Sequence, residues 1–500
     1  MTPAPRSPAP RTGAGAGDPH DPSDPSDPSD PSDPSDPDSV TPRDGGGRRD
    51  LYAAAAGALL FLAAALTGVW IKSDEDVLRV HFPPLYAHWL PHLGPGTPAA
   101  LIVAAATVAY GPSLAARLPW HRLLWASWAG SAAWIFSLAL IDGWHRGIAR
   151  RLTTKYEYLQ VIDRFNDIPG TLRGFTGHIL VGSPDHWPAH VAGHPPAAPL
   201  TFVLLDRIGL GGGAWAGVWC ITVGAAACAA VLVTVRAVAG EGHARRAAPF
   251  LVLAPAAVWM GASADGYFTA VAAWAVALFA LAGTARTPSR RRAAALGSGL
   301  LFGLTCYLSY GLTLFALIGA GVLLLVRPKA RDLASWLPCW IAGFAVFPLL
   351  FTLSGFNWWE AYHLLVERYY QGAAGIRPYG YWVWANLACT VLLVGLATVA
   401  GLRRAGGVLL TRLPRRLRER QLRDRRPDFT LRLVLLVAAA ALALLAADLS
   451  GMSKAETERI WLPFAIWLLP ACALLPRPRT WLAAQATVAV LVNHLLLTGW

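Results

Sequence analysis

Thirteen apolar runs, most of them near twenty residues, alternate along the chain with charged or Pro/Gly clusters. That pattern predicts an all-α polytopic membrane protein, because about twenty apolar residues in a helix cross a bilayer. The runs cover 51–71, 98–117, 123–141, 212–235, 247–263, 266–284, 293–309, 311–326, 333–354, 381–402, 431–449, 460–476 and 481–498. Ahead of them, residues 1–50 contain five consecutive Asp-Pro-Ser triplets from Asp21 to Ser35. Proline at every third position excludes helix and sheet, and no apolar residue there can build a core. Residues 1–50 are therefore expected to be a disordered tail. It is not expected to be a signal peptide, since the first apolar run begins only after it.

Composition narrows the class. Apolar residues make up 55% of the chain and charged residues 15%, which excludes a soluble enzyme and a disulfide scaffold. A net charge of +13 would suggest nucleic acid in a soluble protein. Residues 1–50 carry ten Asp and five Arg, however, so the remainder holds +18, and its cations fall on alternate loops. Arg48 and Arg49 precede the first run; Arg117 with Arg122, Arg236 with Arg245 and Arg246, and Arg286 with Arg290 to Arg292 follow. Arg327, Lys329 and Arg331, ten arginines over 403–426, and Arg477 with Arg479 complete the series. The positive-inside rule makes these loops cytoplasmic. The expectation is a multi-pass plasma-membrane protein with its N-terminus cytoplasmic and its C-terminus extracytoplasmic. Its basic face meets anionic membrane lipid, with 412–426 as a basic helix on that surface, and no nucleic acid is expected. All six cysteines lie inside the runs and read as small packing residues, without metal-ligand spacing.

The same alternation places 72–97, 142–211, the turn at Asp265, 355–380 and 450–459 outside. The long 142–211 loop carries three candidate carboxylates, Asp142, Glu157 and Asp163. It ends in His194-Pro195-Pro196, expected to be extended, before an apolar stretch too short to span that would lie flat on the membrane. Asp265 stands alone between two runs, where a carboxylate is costly unless paired; it either serves a site or caps the helix that follows. In Lys454-Ala455-Glu456-Thr457-Glu458-Arg459-Ile460-Trp461, Glu456 and Arg459 can pair at i, i+3, or Arg459 can clamp a phosphate. Lys454, Arg377 and His194 are further candidates for contact with an anion. The aromatic residues of 355–380 read mainly as an interfacial belt.

Tyr156-Glu157-Tyr158-Leu159 followed by Gly193-His194-Pro195-Pro196 and Leu205-Asp206-Arg207-Ile208-Gly209-Leu210 resembles the GT-C glycosyltransferases. The likeness is to the branch of protein O-mannosyltransferases and lipid A aminoarabinose transferases, in an actinobacterial form. The family pattern reads Asp-Glu…Tyr and then Lys-Pro-Pro-Leu; here the paired acid is missing and His194 replaces the lysine. The likeness covers 120–500, with 51–119 as two additional spans. It implies an inverting transfer of sugar from a polyprenyl-phosphate donor to an extracytoplasmic acceptor. It implies Glu157 as general base, with Asp163 or Asp142 as alternatives, and Asp265 on acceptor or metal. Arg459, Lys454, Arg377 and His194 would contact the donor phosphate, and a divalent cation, Mg or Mn, could assist. A transporter or lipid flippase is the competing class. Transporters place ionisable residues mid-membrane and often carry inverted repeats; this chain shows no repeat and keeps its acids in outer loops.

Overall fold

The computed structural model describes residues 45–74, 76–418 and 428–499. The Asp-Pro-Ser triplets lie outside these residues, as does the 419–427 part of the arginine-rich segment. Among the described residues seven helices are long and apolar enough to cross a membrane: Gly46–Lys72, Thr97–Arg117, Trp120–Asp142, Gly213–Ala239, Ala264–Thr284, Ala330–Leu353 and Phe429–Leu449. Each coincides with one of the predicted runs. Helix begins at Gly45, so the last residues of the expected tail are ordered. Asp50 there is fully buried and grips Arg404 at 2.6 Å and Arg403 at 3.3 Å.

The predicted 381–402 span is not one rod. Tyr379–Val394 and Leu396–Arg415 meet at 108°, and counting the pair as a single span gives an eighth crossing. Gly395 makes the break with φ +80°, a conformation that favours glycine. A broken helix inside a membrane must satisfy its freed backbone groups from elsewhere. Buried Gln485 does so here. Its Nε2 donates to the Val394 carbonyl at 2.8 Å, and its Oε1 accepts from the Ala397 amide at 3.2 Å.

The remaining predicted runs are helical but shorter, broken or more polar. The 247–263 run divides into Glu241–Val252 and Ala257–Met260 around Pro255, and 460–476 divides into Thr457–Ile460, Leu462–Ala465 and Leu469–Leu474. Pro463 and Pro470 each lack the amide that would continue the ladder. Helix Pro288–Leu308 opens with three arginines, and the apolar Tyr310–Val326 segment is too short. Pro478–Leu495 passes into strand Leu496–Thr498, which pairs antiparallel with Ala87–Trp89. Each of these segments falls short of a span in length, continuity or composition, so thirteen full-length crossings are not what the helices alone support.

Gly45–Trp500 packs as one unit around Gly213–Ala239 and Ala264–Thr284, whose apolar windows are 72% buried. Thr97–Arg117 and Ala330–Leu353 are only 17% buried and present their apolar sides outward, as lipid-facing helices do. Helices in lipid associate through small residues that let backbones approach. A Cβ at Gly224 would stand 3.0 Å from Gly266, and buried Ala270, Ala273 and Ala277 continue the small-residue core.

The bundle has two chemically distinct ends. At one, segments predicted to be outside bind each other: Arg377 donates to the Leu78 carbonyl, Gln371 accepts from the Val181 amide, and Arg151 donates to the Thr498 carbonyl. At the other, the predicted inner segments meet. Arg245 donates to the Ala115 and Leu118 carbonyls, and Arg412 pairs with Asp428.

Candidate functional site

The turn before Ala264–Thr284 decides the role of Asp265. Ser263 is the N-cap, accepting from the Asp265 amide at 3.2 Å, so the helix is capped without the Asp265 side chain. That carboxylate is left to bind Arg459, Oδ2 to Nη1 at 2.5 Å, with both side chains buried. Arg459 comes from the Thr457–Ile460 turn, which is entered through Ala455 at φ +74° and Glu456 at φ +61°. Two consecutive left-handed non-glycine residues store backbone strain of about 1–3 kcal/mol each. The turn also sets Glu456 Oε2 3.3 Å from Arg459 Nη2. The i, i+3 pair read from the sequence therefore forms, and the same guanidinium reaches a second carboxylate.

Glu157 arrives from the long loop, just ahead of the 3-10 helix Tyr158–Phe165. It is 5% exposed, and its Oε1 lies 2.9 Å from His190 Nδ1. The other ring nitrogen of His190 lies 3.5 Å from Arg459 Nη2, and the His190 amide donates to the Tyr156 carbonyl at 3.0 Å. Glu157, His190, Arg459 and Asp265 thus form one continuous polar chain across three parts of the sequence. Beneath it, the Tyr158 hydroxyl is 3.2 Å from His194 Nδ1, and the Tyr158 ring stacks on Phe202. Burial, then the charges of Asp265 and Glu157, push the Tyr158 phenol well above its ordinary range. Burial also pushes His194 down to about 4, so it is neutral at physiological pH and supports the site from below.

The other predicted residues occupy different positions. Asp142 anchors a partly buried cluster with Arg146 at 2.9 Å, Arg151 at 3.0 Å and His92 at 3.1 Å. Asp163 is exposed on Tyr158–Phe165, with no ion pair among the described residues. Arg377 donates to the carbonyls of Leu78, Lys454 and Arg79, and Lys454 Nζ donates to the Ala374 carbonyl at 3.0 Å. Both cations bind loops together around the site. Pro195-Pro196 does not extend the chain as expected: Pro196 has ψ −14° and opens helix Ala197–Arg207, because its fixed φ suits a first helical turn.

A small cleft of about 10 Å³ lies between Arg151, Glu157, Tyr158, Ser263 and Arg459, with room for about one water. Sequence reasoning missed His190, although its position four residues before His194 was visible. It also missed Glu458 as a buried group. Glu458 is fully buried and accepts from the Tyr86 amide at 2.9 Å. Burial, offset in part by that hydrogen bond, pushes its carboxyl up to about 7.

The donor set does not suit a divalent cation. Among the described residues no three His, Cys, Asp or Glu side chains converge as ligands. The Arg459 guanidinium takes the position between Asp265 and Glu456 that a cation would need.

No family model and no curated protein matches the chain. Among solved structures, it is similar to the Archaeoglobus fulgidus oligosaccharyltransferase in complex with Zn and sulfate. Identity is 16% over 73% of this chain and 53% of that one, with a TM-score of 0.43. It is also similar to ArnT from Cupriavidus metallidurans bound to undecaprenyl phosphate, at 13% identity over 69% of this chain and 59% of that one, TM-score 0.44. The chain thus spans about half the length of the oligosaccharyltransferase chain. At this level of likeness no residue role passes from either protein to this one.

Proposed function

We propose that the chain is an integral-membrane glycosyltransferase of GT-C type. In this reading it moves a sugar from a polyprenyl-phosphate donor to an extracytoplasmic hydroxyl acceptor, with inversion at the anomeric carbon. The observation that carries the reading is the convergence of Glu157 and Asp265 on Arg459, buried, at the end of the bundle where the acid-bearing loops meet. A transporter has no need of a general base held beside a cation in its loops.

Glu157 takes the proton from the acceptor hydroxyl as that oxygen bonds to the anomeric carbon. The bond from that carbon to the phosphate oxygen breaks, and its electron pair leaves on the lipid phosphate. Arg459 balances the developing charge as a preorganised cation, with Asp265 and Glu456 holding its orientation. His190 fixes the Glu157 carboxylate. Neutral His194 and Tyr158 form the floor, and Lys454 and Arg377 hold the surrounding loops together. Because the cleft holds about one water, donor entry requires the 142–211 and 450–459 loops to part. The acceptor side is extracytoplasmic, with the N-terminus cytoplasmic.

The test is reconstitution in liposomes with a panel of radiolabelled polyprenyl-phosphate sugars. The reading expects label to move from lipid to an acceptor, with the product anomer opposite to that of the donor. Translocation of the intact lipid without sugar release would establish the flippase class and end this reading.

A further inference from the structure

A second cavity, of about 260 Å³, opens at the other end of the bundle, between Thr97–Arg117, Glu241–Val252 and the turn before Pro478–Leu495. Thr97 sits at the acid-bearing end, its hydroxyl 2.8 Å from His494, whereas the cavity touches the last two turns of the same helix. At 1.5 Å per residue the helix sets Thr97 roughly 25 Å from the cavity.

The cavity is lined by apolar residues, among them Pro112, Phe250 and Leu475, and by cations. Its cations are Arg245, Arg246 and Arg477, and no carboxylate is among the lining residues. Arg245 already has partners: Glu241 at 2.6 Å and the carbonyls of Ala115 and Leu118. Arg246 and Arg477 have no carboxylate partner among the described residues, and both are exposed. Two uncompensated guanidiniums beside an apolar wall suit an oxyanion that carries hydrocarbon. Arginine is well matched to phosphate oxygens through its planar fork of donors. The volume is slightly below the roughly 300 Å³ at which small-molecule sites begin, the scale of a headgroup with its first methylenes. The site lies where a lipid-facing helix ends, the level at which phospholipid phosphates stand.

We propose that this cavity binds the phosphodiester headgroup of an anionic membrane phospholipid. Arg246 and Arg477 bind the phosphate, and the Phe250 and Leu475 side covers the start of an acyl chain. The proposal is independent of the sugar-transfer reading, because the two sites share no residue.

The full chain, purified in detergent, is titrated with phosphatidylglycerol, phosphatidylcholine or inorganic phosphate, and bound lipid is counted by native mass spectrometry. The expected result is one retained phosphatidylglycerol that neither phosphatidylcholine nor millimolar phosphate displaces. R246Q/R477Q should retain at least tenfold less. R286Q/R290Q, which removes two exposed arginines outside the cavity, should retain as much as wild type. Equal retention of phosphatidylcholine, displacement by phosphate, or an unchanged R246Q/R477Q variant overturns the proposal. So does an equal loss in R286Q/R290Q, since diffuse basic charge would then account for binding.

Discussion

Replacing Glu458 by glutamine should make the stability of the protein less sensitive to pH. The carboxyl is fully buried and moves from an ordinary 4.5 to about 7 in the folded chain. A raised carboxyl pKa means that the folded state holds its proton more tightly than the unfolded state. The stabilising contribution is therefore complete below about pH 4.5 and is lost as the pH rises to about 7, beyond which the buried charge is carried at full cost. At roughly 1.4 kcal/mol per pH unit, the wild type loses about 2–3 kcal/mol between pH 5 and pH 8 from this group alone. Glutamine keeps an oxygen for the Tyr86 amide but carries no charge. Thermal unfolding in detergent, followed by tryptophan fluorescence at both pH values, reads the effect. The variant should be more stable than wild type at pH 8, and the difference should shrink towards zero at pH 5. Unfolding curves that shift with pH by the same amount in both proteins would refute the reasoning.

Other consequences follow from the same geometry. Asp265→Asn leaves Arg459 buried without its nearest carboxylate and should cost about 3–5 kcal/mol in denaturant unfolding, partly recovered in D265N/R459Q; simple additivity would show that the pair is not coupled. Gln485→Leu strips the break at Gly395 of its polar splint and should lower stability by about 1–3 kcal/mol, measured by thermal melting; a melting point equal to wild type would show that the splint carries no stability. A cysteine placed at Ser183, in the long loop, should react with an impermeant maleimide on intact cells; labelling only after permeabilisation would reverse the assigned orientation.

Seven spans could be read from the apolar runs because each runs on as helix, with at most a one-residue interruption or a final 3-10 turn, to a length that matches a bilayer. The broken segments could not. Gly395 and Gln485 are ninety residues apart, and only folding brings the side chain to the kink it satisfies. In the site, Asp265 stood out as a lone charge between apolar runs, Glu157 and Arg459 as members of charged outer-loop segments, and the fold joins them. His190 did not stand out, since it is one of five histidines in the 142–211 loop and nothing in the sequence says which of them meets Glu157. Asp163 faces outward, whereas Arg377 binds three carbonyls and brings Nη1 to 3.9 Å from Glu456 Oε1. Pro195-Pro196 fits an extended segment and a helix start equally well, and Phe202 packing against Tyr158 favours the second.

The central claim is that Glu157 accepts the proton of the attacking hydroxyl. Turnover of a polyprenyl-phosphate sugar in proteoliposomes, compared between wild type and E157Q at saturating donor, tests it most directly. The account predicts a fall in kcat of roughly a hundred- to ten-thousandfold, with the donor KM within a few-fold of wild type. An E157Q protein that turns over as fast as wild type would contradict it.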